Sequence, residues 1–375
     1  MGLTLPELAF GKTAGRRGEL LVYVGTYTSG KSEGIYLYRM NLSSGELNHV
    51  ATTKGVKDPS YLTLSTNRRY LYAVNEVEEF AGKKSGALSA FAVDQRTGGL
   101  SLLNQQPSLG GSPCYVTVDR TGKYVLVANY SGGNVAVFPT RMDGSLGEAT
   151  DVKQNEGSSI NTERQQGPHA HCIELDPTNR FAYVCDLGTD KIMIFRFDRR
   201  QEKLVPGKTP WVQAKPGAGP RHITFHPSGK YAYVMNEMHV TVTAYAHSRD
   251  GDLKEMQTLP ALPREATVED SGADIHVSPD GRFLYCSNRG HDSITAFKIN
   301  QRNGSLTFIT HAPTGGKTPR NFAIAPTGAF LLVANQRSDS IVTFRRDKKT
   351  GGLTATGQVA DVPSPVCLKF TTPLA

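Results

Sequence analysis

The chain has 375 residues, of which 38% are hydrophobic and 20% charged, and its formal net charge is +8 at pH 7. This composition supports a substantial core and excludes a wholly disordered chain. The basic residues are dispersed rather than clustered, so the charge favours a small anionic ligand over a nucleic acid or a membrane surface. We therefore expect a globular protein whose partner is a small anion.

Residues 1–18 precede the first strand-like segment and are predicted to form an N-terminal tail. They lack the apolar core of a signal peptide, and no apolar run in the chain is long enough to span a bilayer. The five cysteines are odd in number, form no CxxC pair and lie mostly in apolar runs, which indicates buried free thiols in a reducing compartment. We expect a cytoplasmic protein.

A strand motif recurs along the chain at a spacing of about fifty residues, which is typical of a repeat architecture. In chain order the copies are "YLYAVNE", "YVLVANY", "FAYVCDL", "YAYVMNE", "FLYCSNR" and "FLLVANQ". Each copy has the alternating pattern of aromatic or β-branched residues that is typical of a strand. An Asn or Asp follows this pattern at the equivalent position of every copy, and these residues are called the Asn/Asp column. The members of that column are Asn75, Asn129, Asp186, Asn236, Asn288 and Asn335.

A short strand and a Pro/Gly turn precede each copy, and two further strands follow it, so that one repeat makes a four-stranded propeller blade. The predicted blades start near Pro59, Pro113, Ala170, Pro220, Gly272 and Pro319. The C-terminal "SPVCLKF" supplies a first strand, and the N-terminal "LLVYVGTY", "GIYLYRM" and "LNHVATT" supply strands two to four. The sequence therefore predicts an all-β fold, with residues 19–375 forming one seven-bladed β-propeller domain closed by both chain ends.

At equivalent positions of the blades, some residue types occur in every blade and others in only some blades. Residues of the second kind are candidates for function. One column, at the start of the first strands, contains Ser60, Cys114, His171, Arg221, Ala273, Arg320 and Val366. A second column, at the end of the second strands, contains Thr26, Glu76, Tyr130, Leu187, Glu237, Arg289 and Gln336. Antiparallel neighbours place both columns at one solvent-filled mouth of the central channel. Its charged side chains suit the binding of an anion and the movement of a proton.

Three further residues are candidates for substrate binding. His169 lies two residues before His171 and faces the same side of an extended chain. Asn236 and Asn288 are included as well, although recurrence of the Asn/Asp column favours a role in capping strand ends. The two histidines could chelate a metal, but no third ligand has a diagnostic spacing, so we predict neither a metal nor another cofactor.

Four segments carry a resemblance to a known family: "GPHAHCIELDP", "GAGPRHITFHPSGKYAYVMNE", "ADIHVSPDGRFLYCSNRGHDSI" and "GGKTPRNFAIAPTG". They resemble the lactonase family of seven-bladed propellers, which includes phosphogluconolactonases and fungal carboxymuconate lactonizing enzymes, over residues 21–370. The site proposed for the fungal enzymes corresponds here to His171, Arg221, Glu237 and Arg289. The resemblance therefore implies that these four are catalytic.

The resemblance is nearer to the phosphogluconolactonase branch and implies metal-free opening of 6-phosphoglucono-1,5-lactone. In that reaction His171 or Glu237 would act as the base, Arg221 and Arg289 would stabilise the oxyanion, and Arg320 would help to bind the phosphate. Glu76 would line the binding funnel. One alternative is a 3-carboxy-cis,cis-muconate cyclase, and another is a non-catalytic propeller that binds a partner protein, against which the ionic rim argues.

Overall fold

The computed structural model describes residues 18–266 and 271–371, which form seven four-stranded antiparallel sheets and one two-stranded hairpin. The predicted all-β, seven-bladed propeller is confirmed. Residues 1–17 of the predicted tail lie outside the described residues, and the division into a tail and one domain stays a prediction. Within the described ranges, no helix combines the length and apolar character that a membrane crossing requires.

We number the blades 1 to 7 in the order of their innermost strands. The innermost strands are Leu62–Leu64, Pro113–Val118, Ala170–Leu175, Pro220–Phe225, Ser271–Val277, Pro319–Ile324 and Pro365–Thr371. The second strands are Tyr70–Asn75, Tyr124–Asn129, Phe181–Asp186, Tyr231–Asn236, Phe283–Arg289, Phe330–Asn335 and Glu19–Thr26. The third strands are Ala87–Val93, Asn134–Pro139, Lys191–Asp198, Thr241–His247, Ser293–Ile299, Ser340–Arg346 and Gly34–Asn41.

The outer strands complete the blades in the same order. They are Leu100–Pro107, Asp151–Gln154, Lys203–Gln213, Leu253–Pro260, Leu306–Pro313, Leu353–Asp361 and Leu47–Lys54. Two minor elements are the hairpin of Glu79–Phe80 and Lys83–Lys84 and the 3-10 helix Gln336–Ser338. The second and third strands carry most of the buried apolar side chains, because each lies between two sheet neighbours and between two blades.

Blade 7 joins the two ends of the chain, as the sequence predicted. Its innermost strand pairs antiparallel with the N-terminal strand Glu19–Thr26, and Leu21 lies opposite Thr371. That innermost strand also packs against the innermost strand of blade 1, so the ring of inner strands is continuous. Closure leaves no blade with an uncovered inner edge.

Neighbouring blades are tied by a repeated contact between a tyrosine and a glycine. In the described chain, tyrosine hydroxyls of second strands donate to glycine carbonyls of the next blade over 2.7 to 3.1 Å. The pairs are Tyr23–Gly98, Tyr72–Gly144, Tyr183–Gly251, Tyr233–Gly304 and Tyr285–Gly351. Each glycine has a φ between 73° and 87°, which favours glycine over other residues. These contacts fix the angle at which one blade packs on the next.

The cysteines follow the prediction of buried thiols. Cys114, Cys172, Cys185, Cys286 and Cys367 are all free and buried. All five lie on innermost or second strands, where a small apolar side chain fits between blades.

We predict that a chain ending after Ser364 loses the closed ring. It would lack the innermost strand of blade 7 and would expose an edge on the strand Glu19–Thr26, so it should aggregate or melt without cooperativity. A chain ending after Thr371, which keeps that strand, is the control. Size-exclusion chromatography and thermal melting compare the two. A monomeric chain ending after Ser364 that melts cooperatively at the full-length temperature would contradict the closure.

Candidate active site

A β-bulge at the start of the innermost strands gives the channel two adjacent rings of side chains. The pairing register shifts there in six blades of the described chain, for example between Ala170 and Cys172 and between Pro220 and His222. Because a bulge breaks the simple alternation of faces, two consecutive residues such as Arg221 and His222 both line the channel.

The rings enclose a small polar chamber at the mouth that the sequence predicted. Its lining contains Ser60, Tyr61, Glu76, Cys114, His171, Arg221, His222, Arg320, Asn321 and Val366. Most members of the predicted first-strand column are therefore brought together, with Glu76 from the second column. The water-accessible volume of about 10 Å³ suits about one water molecule.

Glu237 is the centre of the charged cluster beside this chamber. Its Oε2 accepts from Arg221 Nε and from Arg289 Nη2, both over 2.9 Å, and its Oε1 accepts from Arg164 Nη2 over 2.9 Å. Burial raises the pKa of Glu237, but the guanidiniums of Arg289 and Arg221 outweigh it and hold the pKa well below its usual range. Glu237 is thus an ionised carboxylate shared by three cations.

Strand ends and one loop bring these four residues together. Glu237 follows the second strand of blade 4, Arg221 is the second residue of the innermost strand of the same blade, and Arg289 ends the second strand of blade 5. Arg164 comes from the long loop between blades 2 and 3. Arg221 Nη1 also donates to the Ala273 carbonyl over 2.8 Å, which anchors the guanidinium to the neighbouring blade.

Arg289 keeps one donor free. Its Nη2 donates to Glu237 and to the Gly272 carbonyl over 2.9 Å, whereas its buried Nε has no acceptor within the described ranges. Burial lowers the pKa of Arg289 to about 10, against the opposing effect of Glu237, so the group stays cationic at neutral pH. A buried charged N–H without an acceptor carries a desolvation cost that its surroundings do not offset.

Glu76 and Arg320 form the other charged wall of the chamber. Glu76 Oε2 accepts from the Tyr27 hydroxyl over 2.9 Å and from the Ser60 hydroxyl. The Arg320 guanidinium lies 5.5 Å from the centre of the Tyr27 ring. Burial raises the pKa of Glu76, and the charge of Arg320 limits the rise.

His171 is a buried, neutral imidazole on the chamber wall. Its Nδ1 lies 3.7 Å from Cys114 Sγ, and its ring meets His222 edge-on at a centroid distance of 5.3 Å. Burial and the charge of Arg221 hold the pKa of His171 well below 6.5. His169 is half-buried: its ring stacks on Tyr130 at 4.4 Å, and its Nδ1 lies 3.0 Å from the Tyr130 carbonyl.

Asn236 and Asn288 do not join the chamber. Asn236 Nδ2 donates to the hydroxyls of Thr241 and Thr243 on the adjacent third strand. Asn288 Nδ2 donates to the Ala261 carbonyl over 3.0 Å and to hydroxyls of its own blade. Both side chains are buried between strands, which favours the structural role of the Asn/Asp column over substrate binding.

The expectation that the charged residues would stand in a solvent-filled mouth is wrong for the central ones. Arg221, Glu237 and His171 are only 2%, 4% and 5% exposed. The charges of the arginines and of Glu237 neutralise one another, which allows these side chains to be buried together. The loop that carries Arg164 also shields Glu237 from solvent.

Sequence comparison also missed the second ring of the channel. Here His222 Nδ1 lies 2.8 Å from Asp274 Oδ1, and Asp274 Oδ2 contacts His276 Nε2 at the same distance and the Asn321 amide. Burial and Arg221 lower the pKa of His222 to about 4. This network closes the floor of the chamber. Its members His222, Asp274 and Asn321 each directly follow a residue of the first-strand column, so the column one position later predicts them.

Comparison with known proteins agrees with this geometry. The family described as Lactonase, 7-bladed beta-propeller matches residues 21–370. The chain belongs to the lactonase family of seven-bladed β-propellers. It is 39% identical over 349 residues to a Bacillus subtilis protein named 6-phosphogluconolactonase, covering 93% of this chain and 97% of the relative.

Two other similar proteins support the assignment. A Formosa agariphila protein, also named 6-phosphogluconolactonase, is 40% identical over 308 residues, covering 81% of this chain and 86% of the relative. The structure of the Pseudomonas aeruginosa periplasmic gluconolactonase has a TM-score of 0.90 at 34% identity, covering 95% of this chain and 99% of that one. The resemblance drawn from the four sequence segments is confirmed.

The described residues were predicted from the sequence to hold no metal. In residues 18–266 and 271–371, no group of three or more His, Cys, Asp or Glu side chains is arranged to hold a metal ion. His169 and His171, the pair considered as chelators, both pack against Tyr130, the first face to face and the second edge-on at 5.4 Å.

We predict that Glu237→Gln destabilises the protein by about 3 to 5 kcal/mol, because it leaves buried guanidiniums without their shared counter-charge. Glu33→Gln is the control, since Glu33 and Lys54 form an exposed ion pair whose loss should change stability little. Denaturant unfolding gives the free energy of unfolding of both variants. Equal stability of the two would show that the buried cluster does not need the Glu237 charge.

Proposed function

We propose that this protein is a 6-phosphogluconolactonase that hydrolyses 6-phosphoglucono-1,5-lactone to 6-phosphogluconate. The observation that carries the proposal is the pair Arg221 and Arg289, held by Glu237 beside a chamber with room for about one water. Two relatives that the chain matches over more than four fifths of its length carry the same name.

Hydrolysis of a lactone needs a stabiliser for the negative charge that develops on the carbonyl oxygen. Arg221 and Arg289 are held in place before the substrate arrives, by Glu237 and by main-chain carbonyls of blade 5. Arg289, which stays cationic, adds positive charge near the carbonyl oxygen. Because these groups are buried and fixed, they stabilise the transition state with little reorganisation.

The size of the chamber limits what can enter it. A space for about one water cannot hold a sugar ring, so we place the lactone ring above the chamber, toward the mouth. Arg164 has a side chain that is 44% exposed at this mouth and is the better candidate for the phosphate anchor. Arg320, which the sequence suggested for that role, lies in the chamber wall instead. His169 stands next to Arg164 through their shared contact with Tyr130 and would border the substrate.

The geometry changes the role expected for Glu237. Both of its oxygens accept from guanidiniums, and its pKa is far below neutrality, so it is a poor proton acceptor. We assign it to holding the arginines. His171 remains as a neutral group on the chamber wall that can contact the attacking water.

Two predictions from the sequence are kept within this proposal. The partner is a small anionic lactone, which the cationic groups at the mouth favour. The compartment is a reducing one such as the cytoplasm, since the five cysteines are free and buried.

We expect the protein to open freshly prepared 6-phosphogluconolactone well above the spontaneous rate and to keep this activity after treatment with a chelator. The reason is that the charge stabilisation is assigned to Arg221 and Arg289 rather than to a metal. Arg164→Ala should raise KM for the phosphorylated lactone by roughly tenfold or more, and less for gluconolactone. Steady-state kinetics with both substrates measures these effects.

Arg200→Ala is the charge-matched control for Arg164→Ala, because Arg200 is exposed in a turn at the far end of blade 3. It should leave both KM values unchanged. A protein that fails to accelerate lactone opening but cyclises carboxymuconate would transfer the proposal to the lactonizing enzymes. Loss of activity on chelation, restored by one divalent ion, would overturn the metal-free mechanism.

A further inference from the structure

We infer that Glu76 is the general base that removes a proton from the attacking water. The inference rests on the proposed lactone-opening function and adds a catalytic residue to it. Glu76 was expected only to line the binding funnel, and its position in the chamber wall gives it a role in the chemistry.

The two glutamates of the site differ in what their oxygens already bind. Glu237 accepts from three guanidiniums, so each of its oxygens is engaged by a cation. In Glu76, Oε2 accepts from the hydroxyls of Tyr27 and Ser60, while Oε1 has no hydrogen-bond partner among the described residues. A base needs an available lone pair, and Glu76 has one.

The surroundings of the candidate bases shift their pKa values in different directions. Cations hold the pKa of Glu237 below its usual range, and burial with Arg221 lowers that of His171, so both become weaker bases. Burial raises the pKa of Glu76 above its usual value, which makes it a stronger base, and the charge of Arg320 limits the rise. General-base catalysis is most efficient when the pKa of the base is near the working pH.

The position of the water follows from the size and lining of the chamber. Glu76, His171 and Arg221 all line the same space, which has room for about one water. A water there can donate one proton to Glu76 and remain next to the arginine side of the chamber. Tyr27 and Ser60 donate to the Glu76 carboxylate and act as positioning residues that orient it.

The step balances without a further reactant. Glu76 accepts a proton as the water oxygen bonds to the lactone carbonyl carbon, and the carbonyl π electrons move to an oxyanion beside Arg221 and Arg289. Collapse of the tetrahedral intermediate breaks the bond between that carbon and the ring oxygen. The ring oxygen, as the leaving group, accepts the proton that Glu76 removed from the water. The product is the hydroxy acid, whose carboxyl group then releases a proton to solvent.

The test is Glu76→Gln, which keeps the size of the side chain but removes its basicity. We expect kcat to fall by about a hundredfold or more, with KM little changed and a thermal midpoint near that of the wild type. Glu79→Gln, in the exposed hairpin three residues later, is the control and should keep full activity. The acid limb of the pH profile of kcat/KM should disappear in Glu76→Gln and remain in His171→Asn.

Ser60→Ala tests the same assignment without altering the carboxylate. Removing a hydroxyl that donates to the ionised form raises the pKa of Glu76, so the acid limb should move to higher pH. This readout also serves if Glu76→Gln fails to fold. An unmoved limb in Ser60→Ala would overturn the inference.

Three further outcomes separate this inference from the proposed function. An active wild type whose folded Glu76→Gln variant keeps kcat within about threefold would overturn only the role of Glu76. Loss of the acid limb in His171→Asn with its retention in Glu76→Gln would transfer the role of base to His171. A wild type without lactone-opening activity would overturn the proposed function, and the inference with it.

Discussion

The carboxylate of Glu237, shared by Arg164, Arg221 and Arg289, is the interaction on which the site depends. Arg221 is 2% exposed, and an uncompensated guanidinium at such a position would cost several kcal/mol. One ionised carboxylate makes it possible to bury these cations beside a chamber. Because this carboxylate serves as the counter-charge of the arginines, it is a poor proton acceptor. Proton transfer is therefore assigned to other residues.

The propeller explains how residues far apart in the chain reach this cluster. Strand ends of blades 4 and 5 and the loop before blade 3 meet at one mouth of the channel, and closure of blade 7 keeps the ring intact. Bulges at the start of the inner strands then place two consecutive residues on the channel wall. The first ring carries His171 and Arg221, and the second, with His222 and Asp274, forms the floor.

The fold and much of the candidate site could be predicted, because the blades repeat one sequence pattern and equivalent positions can be compared. Repetition predicted the propeller and its closure, and exceptions to the repeat singled out His171, Arg221 and Glu237, which the structure places in or beside one chamber. Arg164 could not be found this way, since its loop has no counterpart in the other blades. The burial of the cluster was also missed, because sequence does not show which charges neutralise one another. The second ring was hidden by bulges that break the alternation of strand faces.

The most direct test of the central claim is a crystal structure of the protein with 6-phosphogluconate bound. The account predicts that the product carboxylate lies within hydrogen-bond distance of Arg221 or Arg289, with its phosphate toward Arg164 at the mouth. Binding at the opposite mouth of the channel, or with the carboxylate away from both buried arginines, would contradict it.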